Sequence, residues 1–132
     1  MIEIILVSHG NLATGILDSS KMIYGDLENV SCITLSNDGG MEYFNEELAA
    51  FLDELEVGTD VLIMADLKSG TPFNVSLVNA LERKEKLAIE IVSGLNLPML
   101  IESLAIRDDL SLGELTKRAI EAGKAGISIA KK

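Results

Sequence analysis

Short apolar runs rich in β-branched residues alternate with segments of helical period along the chain, and that alternation decides the fold class. Ile2–Val7 (Ile-Glu-Ile-Ile-Leu-Val) is nearly continuous in its hydrophobicity, which predicts a strand buried in a sheet. Val30–Leu35, Val61–Ala65 and Leu87–Val92 predict three more. Leu12, Ile16 and Ile23 predict a helix over Asn11–Tyr24, with Gly25 placed to stop it. Phe44, Leu48, Phe51, Leu52 and Leu55 step at i, i+4, i+7, i+8 and i+11, the stripe of an amphipathic helix, and Gly58 closes it. Pro72–Leu81 and Pro98–Ile106 predict two further helices. Ser111-Leu112-Gly113-Glu114 is a capping box that opens a last helix to about Gly123. Ile127-Ser128-Ile129-Ala130 predicts a short terminal strand.

Strands that alternate with helices require right-handed βαβ crossovers. The expected fold is therefore α/β and doubly wound: a mostly parallel sheet of order 2-1-3-4 with helices on both faces. At 132 residues, positions 1–132 form one expected domain. Ligands of such folds bind beyond the carboxyl ends of the strands, where the strand order reverses. With this order the reversal falls between the first and third strands. The residues just after Val7 and Ala65 matter most.

Composition removes several function classes. Hydrophobic residues make up 48% of the chain, enough apolar surface to offset the entropy of ordering it. The formal net charge is −10, and it is uneven: residues 1–60 carry twelve acidic side chains against one basic, Lys21. That half would repel a phosphate backbone, and 4% aromatic residues without tryptophan offer few stacking platforms, so no nucleic-acid partner is expected. No apolar run approaches the ~20 residues that span a bilayer. Met1 leads into Ile2–Val7 without the basic start of a secretory signal, and the single cysteine, Cys32, suits a reducing compartment. A cytoplasmic location is the expectation.

The chemistry sits at the reversal point. Ser8-His9-Gly10, with the only histidine of the chain, ends the first strand. Asp66 ends the third and opens Asp66-Leu67-Lys68-Ser69-Gly70-Thr71-Pro72-Phe73-Asn74. Neighbouring strands lie ~4.8 Å apart, so His9 and Asp66 can meet although distant in sequence. A carboxylate on one imidazole nitrogen fixes the tautomer and leaves the other nitrogen a lone-pair nucleophile. It also stabilises positive charge that develops on the ring. Thr71 is a plausible N-cap with Pro72 at the first helical position, and the N–H groups that follow, Phe73 among them, form an anion site. Gly70 lets the backbone come close.

These residues resemble the enzyme IIA domain of the mannose-type phosphoenolpyruvate-dependent sugar phosphotransferase system (PTS). The resemblance covers nearly the whole chain: Val7-Ser8-His9-Gly10, Asp66 with Gly70-Thr71-Pro72-Phe73-Asn74, Gly94-Leu95-Asn96-Leu97-Pro98-Met99-Leu100, and Ala105-Ile106-Arg107-Asp108. It implies a phosphoryl relay in which a histidine-containing phosphocarrier protein donates to His9, and an enzyme IIB partner receives the group. The membrane permease is then contacted only indirectly. By position, His9 is the phosphoacceptor through Nε2, Asp66 binds Nδ1, and Thr71 binds the phosphoryl oxygens. The resemblance further implies a homodimer that exchanges an antiparallel C-terminal edge strand, here Gly126–Ala130. Lys68-Ser69 departs from the pattern, which often has a bulky residue and glycine there.

Loose phosphoryl transfer asks mainly for positioning and for donors around the equatorial oxygens. One histidine and one cysteine cannot supply a four-ligand zinc site, and neither a metal nor an organic cofactor is expected. Ser8, Gly10 and Asn96 are candidates to line the site, Asn96 being equally a helix cap. Related readings are the phosphodonor subunit of a dihydroxyacetone kinase, less favoured by Thr71-Pro72-Phe73-Asn74, and a receiver-like signalling domain. A receiver needs an acidic pair where Ser8-His9 stands. A nucleotide or flavin module lacks its Gly-rich fingerprint here.

Overall fold

A computed structural model describes all 132 residues. Four strands, β1 (Glu3–His9), β2 (Val30–Leu35), β3 (Asp60–Ala65) and β4 (Ala88–Val92), form one parallel sheet in the order β2-β1-β3-β4. Five helices accompany them: α1 (Leu12–Tyr24), α2 (Gly40–Asp53), α3 (Thr71–Glu82), α4 (Leu97–Ile106) and α5 (Leu112–Ala125). This is the doubly wound topology expected from the alternation. No helix is long and apolar enough to cross a membrane.

Strand alternation sorts the core into two layers. Ile4 and Leu6 of β1 with Leu62 and Met64 of β3 face Ala13 of α1, Met99, Leu100 and Leu104 of α4, and Leu115 and Ala119 of α5. Ile5 and Val7 with Val61, Ile63 and Ala65 face Phe44, Leu48 and Leu52 of α2. Both central strands are therefore covered twice, which is why their sequences read as continuous apolar runs.

Three details depart from the sequence reading. Helix α1 exists and Gly25 ends it, but its buried residues are Ala13 and Ser20, while Leu12 and Ile23 are 50% and 60% exposed. Close packing of a helix on the sheet favours small side chains at the contact. Helix α2 ends at Asp53, and Gly58 lies beyond it in the turn to β3. Ile127–Ala130 is not a strand in this chain: the segment follows the end of α5 without joining the sheet, and the Ile127 N–H donates back to the Lys124 carbonyl. A strand needs a hydrogen-bonding edge, and this segment takes up none of its own chain's. The capping box of α5 forms as read, with Ser111 Oγ accepting from Glu114 N–H and Glu114 accepting from Ser111 N–H. Those bonds hold the Glu114 carboxyl below the ordinary carboxylate range.

Candidate functional site

β1 and β3 run side by side in register from Glu3–Val61 to Val7–Ala65, and the Asp66 N–H donates to the Val7 carbonyl at 3.1 Å. Asp66 is therefore carried one step past the last ladder pair, next to the end of β1. Its Oδ2 accepts from His9 Nδ1 at 2.9 Å and from the His9 backbone N–H, also at 2.9 Å. A carboxylate only accepts, so this contact places the ring proton on Nδ1 and leaves Nε2 with its lone pair. The imidazole is 44% exposed and the carboxylate 9%. A reachable ring is thus oriented by a sheltered anion. The second oxygen of that anion, Oδ1, is buried and has no hydrogen-bond partner.

Helix α3 begins beside this pair. The sequence reading put the N-cap at Thr71, but Gly70 is the cap, with Thr71 and Pro72 inside the first turn. One residue of shift changes which donors are free. The Asn74 N–H is taken by the Gly70 carbonyl, whereas the N–H groups of Thr71 and Phe73 have no backbone acceptor, and no side chain caps the helix. Pro72 has no N–H to satisfy. The open end of α3 therefore presents two unused donors and the positive end of the helix dipole. Phe73 is half-buried, its ring packed on the α2 side of the core.

The Leu67–Gly70 loop closes as a turn, Gly70 N–H to Leu67 carbonyl at 3.2 Å, with Ser69 at φ +64. A third turn residue in the left-handed region is where glycine is favoured, and an L-residue there costs about 1–2 kcal/mol. Ser69 is the position where the resemblance led one to look for glycine. Ser69→Gly should therefore stabilise the chain by about 1 kcal/mol and raise its melting temperature by a few degrees. A thermal melt without that rise would show the turn to be unstrained.

The remaining sequence candidates divide. Gly10 is exposed at φ +56, and its N–H donates to the Leu35 carbonyl, so it turns the chain from β1 towards α1. Ser8 does not line the opening. It is fully buried, and its hydroxyl donates to the Gly10 carbonyl and accepts from Ala13 N–H, tying the start of α1 to β1. Asn96 serves as the N-cap of α4: its Oδ1 accepts from Met99 N–H, and its Nδ2 donates to the Gly123 carbonyl of α5. Both Asn96 side-chain groups are committed to joining two helices. Arg107, part of the Ala105-Ile106-Arg107-Asp108 stretch, is buried and donates to the carbonyls of Ile2, Glu28 and Asn29, which places it in the scaffold at the opposite end of the sheet.

Fold and site together define a class: a doubly wound α/β protein with an oriented, reachable imidazole at the switch point. Sequence comparison agrees, with residues 3–120 matching the family described as the PTS system fructose IIA component. The mannose-specific EIIAB component of Escherichia coli K12 is 33% identical over 131 residues, 98% of this chain. The chain spans only 40% of that relative's length. The sorbose-specific EIIA component of Lacticaseibacillus casei is 30% identical over 119 residues, covering 90% of this chain and 83% of that protein. Among solved structures, the PTS component EIIA from Streptococcus agalactiae superposes with a TM-score of 0.89 at 34% identity, covering 98% of this chain and 97% of that one. The chain belongs to the mannose-type family of PTS enzyme IIA components.

Proposed function

We propose that this chain is a cytoplasmic phosphoryl carrier for sugar uptake, accepting a phosphoryl group on His9 Nε2 from a histidine-containing phosphocarrier protein and passing it to an enzyme IIB partner. The observation that carries the reading is the 2.9 Å contact between His9 Nδ1 and Asp66, which leaves the opposite ring nitrogen unbonded on an exposed imidazole. In the forward step the Nε2 lone pair forms a bond to phosphorus while the donor's phosphorus–nitrogen bond breaks. That electron pair returns to the donor ring. His9 keeps its Nδ1 proton, so its ring becomes cationic, and Asp66 offsets the charge. The Thr71 hydroxyl and the free N–H groups of Thr71 and Phe73 are the donors for the phosphoryl oxygens, where negative charge lies. Transfer to enzyme IIB is the same step reversed onto a new acceptor.

The test is incubation with phosphoenolpyruvate and the two general relay proteins, followed by mapping of the label. An acid-labile, alkali-stable phosphoryl group on His9 is expected. No label, or an alkali-labile one on a carboxylate, would reject the reading.

The same reading includes a homodimer built by exchange of the C-terminal segment. Ile127 and Ile129 are 79% and 88% exposed and alternate with polar or small residues, a strand pattern that joins no ladder in its own chain. β4 pairs only with β3, so its outer edge is open. Removing residues 127–132, which spares the end of α5, should shift the chain from dimer to monomer in sedimentation. A truncated chain that still sediments as a dimer excludes the exchange.

A further inference from the structure

We propose that Gly70 and Asn74 are positioning residues that form a backbone wall against the His9 ring and keep Nδ1 on Asp66. Gly70 has φ −78 and ψ 171, a conformation open to any residue, so its backbone does not require glycine. Space does. A Cβ at Gly70 would stand 2.7 Å from His9 Cε1 and 3.3 Å from His9 Nε2. Gly10, by contrast, has nothing within 4 Å of its missing Cβ. The main chain at Gly70 thus comes so near the Cε1–Nε2 edge of the imidazole that no side chain fits between them.

A wall must itself be held, and the turn that carries Gly70 includes the left-handed Ser69. Asn74 grips it twice: its side-chain Nδ2 donates to the Ser69 carbonyl at 3.1 Å, and its backbone N–H donates to the Gly70 carbonyl at 2.9 Å. The Ser69 hydroxyl takes no part in these bonds. One asparagine in the first turn of α3 therefore fixes the two consecutive peptide units that flank the Gly70 Cα. Asp66 orients the imidazole at Nδ1, and Gly70, set by Asn74, limits its rotation at the Cε1–Nε2 edge.

Since His9 is the only histidine, its ring nitrogens give a single pair of signals in nitrogen-15 NMR. At alkaline pH the unphosphorylated wild type is expected as one tautomer, Nδ1 protonated and Nε2 bare. In Gly70→Ala the new methyl displaces the ring, a flexible group, so the fold persists while the two tautomers average. Asn74→Ala loosens the wall without adding bulk and shows the same averaging to a lesser degree. Phosphoryl-transfer rates should fall about 10²-fold for Gly70→Ala and about tenfold for Asn74→Ala. Retention of the wild-type tautomer in both variants overturns the proposal, whatever the rates do. The rate arm rests on His9 being the phosphoryl acceptor. The NMR arm needs no donor, so absence of labelling on wild-type His9 would reject the function above while the ring's orientation is still decided.

Discussion

His9→Ala should abolish phosphorylation by phosphoenolpyruvate and the general relay proteins, leaving no acid-labile label on the chain. The expectation is all-or-none because there is no second imidazole to take over. Loss of the side chain should not unfold the protein. The imidazole is 44% exposed and belongs to neither apolar layer, and the His9 backbone N–H still donates to Asp66 in the variant. What is lost is one hydrogen bond to a sheltered carboxylate, about 1 kcal/mol. Circular dichroism and a melt near that of the wild type would establish that the silent variant is folded. Residual label in that folded variant would point to an acceptor other than His9 and would remove the central residue of the relay.

The strand order and the meeting of His9 with Asp66 were legible in the sequence because both follow from topology. Apolar runs mark buried strands, the βαβ rule orders them, and the switch point then brings the ends of β1 and β3 together. The burial of Ser8 was also legible, though adjacency to His9 suggested otherwise. Ile4, Leu6 and Ser8 share one face of β1, while Ile5, Val7 and His9 share the other, so Ser8 had to point towards α1. The buried face of α1 was not legible, because Ala13 and Ser20 win their places by size and Leu12 and Ile23 outrank them in hydrophobicity.

The role of Gly70 was read in part. A glycine before Thr71-Pro72 signals close approach of the backbone, and the natural guess was approach to an anion. The approach on display is to the His9 ring, which no local pattern could announce. Asn74 lacked any signal of its own, since its two acceptors become neighbours only once the Leu67–Gly70 turn has closed. The terminal isoleucines read as strand-like, yet their segment joins no ladder in this chain although the outer edge of β4 is open, because alternation marks a strand pattern without naming its partner.

Asp66→Ala should slow phosphoryl transfer by about 10²-fold while leaving stability unchanged or raised. The two halves of that expectation have separate causes. Without the carboxylate, nothing selects the tautomer with Nε2 bare, and nothing offsets the charge that develops on the ring as it takes the phosphoryl group. Stability responds differently because the carboxylate is poorly served where it stands. It is 9% exposed, Oδ2 receives both of its hydrogen bonds from His9, and Oδ1 is buried with none. A sheltered anion with an unsatisfied oxygen is a net burden on folding, and removing it relieves a desolvation cost comparable to the bonds forfeited. Such a trade of stability for activity is what an active carboxylate predicts and a structural one does not. Single-turnover transfer rates and thermal melts on the same preparation decide it. A fast variant would take Asp66 out of the mechanism, and a slow variant that is also several degrees less stable would make the carboxylate a structural group.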